Sequence, residues 1–96
     1  MTNWKPFDPV VVADEKDEPG VYELANSDDM TVYIGSADRV RDRLWVHVGE
    51  LPDSCIRRHA VKYRVDYIAD YKNQELLMRS LFLDAFGEEP LCNQKR

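Results

Sequence analysis

Two tripeptides constrain this chain more than any other feature: Gly20-Val21-Tyr22 and Tyr33-Ile34-Gly35. Each reads as a short β-strand carrying a tyrosine. Between them, Ala25-Asn26-Ser27-Asp28-Asp29 is a cluster of turn formers. The pair therefore predicts an antiparallel hairpin with strands over 20–24 and 30–34. In a hairpin of that size the two tyrosines lie near each other, on one face if the register allows. By the period of two, Val21 and Glu23 face one way, and Tyr22 and Leu24 the other. Gly35 permits a tight exit from the second strand. Ser36 or Asp38 can cap the helix that follows.

On that helix Val40, Leu44 and Val48 fall on an apolar stripe, while Arg39, Arg43 and His47 share another at intervals of four. Gly49 ends it. Pro52-Asp53 starts a shorter helix running to about residue 60. Residues 61–69 then alternate, with Val61, Tyr63, Val65 and Tyr67 set against Lys62, Arg64 and Asp66, the clearest strand pattern in the chain. Asp70 can cap a last helix over 71–86. Its apolar face draws on Leu77, Leu81 and Ala85, widened by Leu76, Met78 and Phe82, with Gly87 as C-cap and Pro90 barring continuation. The order of elements predicts an α+β fold: a small three-stranded antiparallel sheet flanked by helices. Residues 1–19, punctuated by Pro6 and Pro9, read as a lead-in in which Val10-Val11-Val12 forms a short strand or packs down. Residues 20–96 read as the domain proper, and 96 residues allow one domain.

The formal net charge of −5 argues against a general nucleic-acid binder, but its distribution is uneven. Residues 1–38 hold nine acids and two bases. Residues 39–64 hold Arg39, Arg41, Arg43, Arg57, Arg58, Lys62 and Arg64 against only Asp42, Glu50 and Asp53. A basic block inside an acidic chain is the footprint expected for phosphate binding, or else a mixed solvated surface. The longest apolar run, Val10-Val11-Val12-Ala13, is far too short to span a membrane, and no secretory signal pattern is read. Cys55 and Cys92 lie far apart with no paired spacing, and are expected as reduced thiols in a cytoplasmic protein. Cys55 and His59 have no second pair to complete a zinc site, and no phosphate-binding glycine loop is present.

The ordered motifs resemble the GIY-YIG nuclease family. Here they read Gly-Val-Tyr and Tyr-Ile-Gly, with Tyr22 and Tyr33 eleven positions apart. Arg43, ten residues after Tyr33, stands where that family places a helical arginine. His47 stands where some members carry a histidine, and Pro90-Leu91-Cys92-Asn93 is similar to the family's closing Pro-x-x-Asn. The resemblance spans about residues 19–94 and implies a three-stranded antiparallel sheet with flanking helices. It also implies an endonuclease that hydrolyses phosphodiester bonds with one divalent metal ion, Mg²⁺ or Mn²⁺, in a setting such as DNA repair or recombination. Tyr22, Tyr33, Arg43 and His47 are the implied catalytic residues; Gly35, Ser36, Arg39, Arg41 and Asn93 are the candidates for substrate binding.

Such hydrolysis needs a positioned water, neutralisation of the phosphoryl oxygens and help for the leaving oxygen. The family's metal-binding glutamate, counted back from Phe86-Gly87, falls near Arg79, which cannot ligate a cation. Glu75, one turn earlier on the same face, is the acid that can replace it, or it forms an i,i+4 ion pair with Arg79. The expected partner is nucleic acid, DNA ahead of RNA, with specificity coming from substrate structure or a targeting protein. The other reading is a catalytically weakened module on the same scaffold that binds nucleic acid or protein. Arg79 and the net negative charge favour it.

Overall fold

A computed structural model describes Met1 and residues 3–94; positions 2, 95 and 96, at the ends of the expected lead-in and domain, lie outside the described residues. In chain order the elements are β1 (Lys5–Pro6), α1 (Pro9–Ala13), β2 (Gly20–Ala25), β3 (Thr31–Ala37), α2 (Val40–Val48), α3 (Cys55–His59), β4 (Lys62–Tyr67), α4 (Tyr71–Phe86) and a 3-10 turn (Leu91–Asn93). The fold is α+β as expected, but the antiparallel sheet has four strands, in the order β1-β4-β2-β3. The extra strand is the two-residue β1, which pairs Lys5 with Tyr63 and Pro6 with Lys62. Two residues carry no legible alternation, so pattern alone could not reveal it.

The segment Val10-Val11-Val12 is not a strand but packs down as part of a helix. Asp8 caps a short helix by accepting from the Val11 amide, Pro9 stands in its first turn, and Val12 is wholly buried. A proline at the start of a helix with an aspartate before it is a strong start signal. The residue that secures this segment is Glu15, 7% exposed, which accepts from Lys5 Nζ (2.7 Å), Tyr63 (2.5 Å) and Tyr67 (2.6 Å). Burial pushes its carboxyl up in pKa, but those three hydrogen bonds outweigh it and hold the group below its ordinary value.

Strand β2 lies between β3 and β4 and is almost entirely buried. Its register puts Tyr22 beside Gly35 and Val65, and Leu24 beside Tyr33 and Tyr63. That face packs with Val12, Val40, Leu44, Ile56 and Ala60 into one core beneath α1, α2 and α3. The opposite face carries Val21, Glu23, Ile34 and Ser36 by the period of two, and α4 packs there against β3 and β2. Strand β3 runs on to Ala37, so Gly35 lies inside the strand and makes no exit turn. Its φ is not left-handed; residue 35 is glycine for a different reason, given below.

Helix α4 has the expected bounds, and of its expected apolar face Met78 and Phe82 turn inward while the rest does not. Leu77 and Leu81 are more than half exposed and Ala85 is exposed. The sheet side instead takes the half-buried Tyr71, Glu75, Met78 and Phe82, at helical intervals of four, three and four. A polar Glu75 in the middle of the inward stripe disguised its centre, so the face was read as centred on Leu77 and Leu81.

The cysteines are also corrected. Cys55 and Cys92, 37 residues apart, have Cα atoms 5.6 Å apart and form a disulfide. Sequence spacing could not show this, because the fold, not the local chain, brings α3 to the 3-10 turn. The expectation of a cytoplasmic protein loses the free thiols on which it rested. Among the described residues no helix is long and apolar enough to cross a membrane.

Candidate active site

A Cβ on Gly35 would stand 2.6 Å from both Cζ and the hydroxyl oxygen of Tyr22, and 2.8 Å from Cε2 of Tyr33. The missing side chain is what lets the Tyr22 ring cross β3 and meet Tyr33, with ring centroids 6.1 Å apart. His47, on the last turn of α2, completes the group, its ring 5.7 Å from that of Tyr22 and 5.2 Å from that of Tyr33. Tyr22, Tyr33 and His47 therefore meet in space, built from two neighbouring strands and one helix end.

The two tyrosines are not equivalent. Tyr22 is wholly buried, and its hydroxyl lies 2.8 Å from His47 Nε2. Burial raises its pKa far above the ordinary phenol value, so it is a neutral O–H donor. Tyr33 is half-buried, and its hydroxyl makes no hydrogen bond among the described residues. Its pKa is raised by burial and then by the negative charge of Glu75. His47 is 8% exposed, with Nδ1 2.6 Å from Glu50 Oε2. Burial depresses its pKa more than Glu50 lifts it, so the ring is neutral near pH 7.

Arg43 stands one helical turn before His47, exposed, with no ion-pair or hydrogen-bond partner for its guanidinium among the described residues. It is near enough for its charge to lower the pKa of Tyr22, Tyr33 and His47. The other members of the basic block are largely occupied. Asp17 holds Arg39 at 2.8 Å and Arg41 at 3.5 Å, and Asp42 adds a second contact to Arg39 at 3.3 Å. Lys62 pairs with Asp29. Arg64 pairs with Glu23 and lies over the Trp4 ring. Arg57 donates to the carbonyls of Val48 (2.7 Å) and Glu50 (2.9 Å). Arg58, like Arg43, is exposed and has no partner for its guanidinium among the described residues.

Strand β3 is the edge of the sheet, and the second half of the site wraps around that edge. Ser36, on the α4 side, donates to Glu75 Oε1 at 2.6 Å. Glu75 Oε2 accepts from Arg79 at 3.2 Å, and Arg79 in turn grips Glu89 with two nitrogens, at 3.2 and 2.5 Å. Asn93 reaches the same edge: its Oδ1 accepts from the Ile34 amide (2.8 Å) and its Nδ2 donates to the Ile34 carbonyl (3.0 Å). Glu50, Asp17 and Glu89 were not singled out as site residues in the sequence, and Arg57 was read only as part of the basic block. The spacing of three between His47 and Glu50 was a usable signal. Nothing local pointed to Glu89.

Among the described residues no group of three or more His, Cys, Asp or Glu could hold a metal ion unaided. A lone carboxylate still fits a hard cation of the magnesium type, which keeps several waters and takes substrate phosphate oxygens. Glu75 is such a carboxylate, its side chain 21% exposed and its oxygens oriented by Ser36 and Arg79.

Strand order and helix placement give the chain the GIY-YIG fold. The particular structures it superposes on are of the GIY-YIG N-terminal endonuclease domain of UvrC from Thermotoga maritima. A point mutant of that domain bound to its catalytic divalent cation matches with a TM-score of 0.65 and 19% identity, over 90% of this chain and 93% of that one. The same domain bound to magnesium matches with a TM-score of 0.64 and 20% identity, over 86% and 91%. No family model matches the sequence, and no curated protein does.

Proposed function

We propose that this domain is an endonuclease that hydrolyses a phosphodiester bond in nucleic acid, DNA ahead of RNA, with one divalent cation, Mg²⁺ or Mn²⁺. The observation that carries the reading is the unpaired Arg43 guanidinium beside Tyr22, Tyr33 and His47, with Glu75 around the same strand edge. A cation left without a partner among so many engaged arginines is suited to a phosphate from outside. The open Tyr33 hydroxyl orients the attacking water. Neutral His47 accepts a proton through Tyr22, whose hydroxyl oxygen lies 2.8 Å from Nε2. Glu75 would hold the ion, with Ser36 fixing the carboxylate. Such an ion, when bound, supplies positive charge at the phosphoryl and leaving oxygens. Arg39, Arg41 and Asn93 are engaged within the protein, so their part is to shape the surface around the site. Specificity comes from substrate structure or from a targeting partner, in a setting such as repair or recombination.

One observation favours the weaker module instead: Arg79 bridges Glu75 and Glu89 and so neutralises the carboxylate that a cation would need. A cleavage assay on branched, nicked and single-stranded DNA and on RNA, with and without Mn²⁺, separates the two. The nuclease reading expects divalent-dependent cutting that Glu75→Gln abolishes, that Arg43→Ala and Tyr33→Phe each lower by about a hundredfold or more, and that Arg79→Glu tolerates. A wild-type protein that neither cuts nor binds divalent cations in calorimetry would be a binding module only.

A further inference from the structure

Both ring nitrogens of His47 are engaged, and they face unlike partners. Nε2 meets a hydroxyl at 2.8 Å, which can donate or accept. Nδ1 meets a carboxylate oxygen at 2.6 Å, which as an anion only accepts. If the neutral ring carried its proton on Nε2, a bare Nδ1 lone pair would face the Glu50 carboxylate at that distance, an acceptor against an acceptor. The proton therefore sits on Nδ1, and Nε2 is left as the base. An exposed i,i+3 ion pair would be worth only a few tenths of a kcal/mol and would fix nothing. This one is on a nearly buried ring whose other nitrogen is already in use.

Glu50 is itself held. It follows Gly49, the C-cap of α2, and its amide donates to the His47 carbonyl at 3.2 Å. The last carbonyls of a helix have no partner inside it. Arg57 supplies one, bridging the carbonyls of Val48 and Glu50 with a single nitrogen. Arg57 is in turn placed by the cap of α3, where its amide donates to Ser54 Oγ at 3.1 Å. The chain of contacts thus runs from Ser54 through Arg57 and Glu50 to His47 and Tyr22.

We infer that Glu50 is a positioning residue that keeps the proton on His47 Nδ1 and leaves Nε2 free to receive the Tyr22 proton, and that Arg57 fixes Glu50 in place. In that step the Tyr22 O–H bond breaks and an N–H bond forms at Nε2. In the same step the Tyr22 oxygen takes a proton from the attacking water, so Tyr22 stays neutral and the products are hydroxide and an imidazolium, which the flanking Glu50 carboxylate stabilises. The charged or titratable groups facing the ring are Tyr22 from β2, Tyr33 from β3, Arg43 from α2 and Glu50 from the turn after α2; of these only Glu50 favours the imidazolium. The inference deepens the nuclease reading and rests on it for its catalytic consequence, but the tautomer is a property of the free protein.

Nitrogen-15 NMR of the two histidines, assigned with a His59→Gln variant, reads it directly. In the neutral form of the wild type, Nδ1 is expected protonated and Nε2 bare. Glu50→Ala should move the proton toward Nε2 and lower the pH at which His47 titrates. Glu50→Gln, which keeps an acceptor but no charge, should retain the Nδ1–H form while still lowering that pH. Arg57→Met should give a mixed tautomer. If the catalytic reading also holds, Glu50→Ala lowers kcat by at least tenfold with KM unchanged. A wild-type ring protonated at Nε2, or a tautomer and titration point indifferent to Glu50→Ala, would overturn the assignment. An Nδ1–H ring that responds to Glu50 in a protein that never cuts would overturn the nuclease reading alone.

Discussion

Gly35→Ala is the smallest change that tests how the site is assembled. The new methyl would lie 2.6 Å from Cζ and the hydroxyl of Tyr22 and 2.8 Å from Cε2 of Tyr33, closer than real Cβ atoms approach anything. The Tyr22 ring is wholly buried and cannot swing into solvent. It must shift within a packed core, which costs about 1–3 kcal/mol. That shift also lengthens the Tyr22–His47 hydrogen bond, worth about another 1 kcal/mol because it would leave a buried nitrogen unpaired. Against this, Gly35 does not have a left-handed φ, so alanine would restrict the unfolded chain and return about 0.4–1 kcal/mol. The net expectation is a loss of roughly 1–3.5 kcal/mol, or a fall in Tm on the order of 5–25 °C for a chain of this size. Urea melts of the wild type, Gly35→Ala, Tyr22→Phe and the double variant measure it. The double variant removes the hydroxyl half of the clash, so the two changes should couple by at least about 0.5 kcal/mol. A Gly35→Ala protein as stable as the wild type, with no coupling to Tyr22, would refute the close contact and the account of why residue 35 is glycine.

Two further outcomes follow from charge. His47 has its folded pKa depressed below the ordinary 6.5 by burial, so between those two values the unfolded chain binds more protons than the folded one. Stability should therefore fall as pH drops below about 6.5, and His47→Gln should flatten that slope in urea midpoints taken at pH 7.5 and 5.5. Glu15, held below the usual carboxyl range by its hydrogen bonds, acts in a separate window, its contribution lost only as pH falls further through its folded pKa. For binding, Arg43→Ala and Arg58→Ala should each weaken nucleic-acid affinity alike across sequences and lower the salt slope by about one. The Asp17-bound Arg39→Ala should change it less, and equal slopes for all three in a fluorescence titration would show that pairing does not decide which arginines face the ligand.

What was legible in the sequence was what repeats at a fixed period. The Tyr22 and Tyr33 strands, the α2 stripe and the alternation ending at Tyr67 all reached their places, and spacing by four brought Arg43 and His47 to one side of α2. Contacts between distant segments left no such mark. Nothing near Cys55 announces Cys92, and nothing near Arg39 announces Asp17, 22 positions away. The reading of α4 was right in its bounds and in Met78 and Phe82 but off-centre for a different reason. Its inward stripe gives up an apolar position to Glu75, which faces Ser36, so hydrophobicity centred the face on Leu77 and Leu81. Gly35 misled in a similar manner, because glycine suggests a turn, whereas here it makes room for two rings.

Asn93 has a consequence beyond the site. The last strand of any sheet offers unpaired amides and carbonyls on which a foreign chain can add itself. At Ile34, in the middle of β3, both groups are already taken by one side-chain amide, which imitates the peptide of a neighbouring strand. The adjacent Cys92 is bonded to Cys55, so this imitation strand is anchored covalently to α3. An intruding segment would have to evict a tethered partner before it could pair there. The same asparagine that borders the candidate chemistry thus also guards the molecule against self-assembly along its most vulnerable edge.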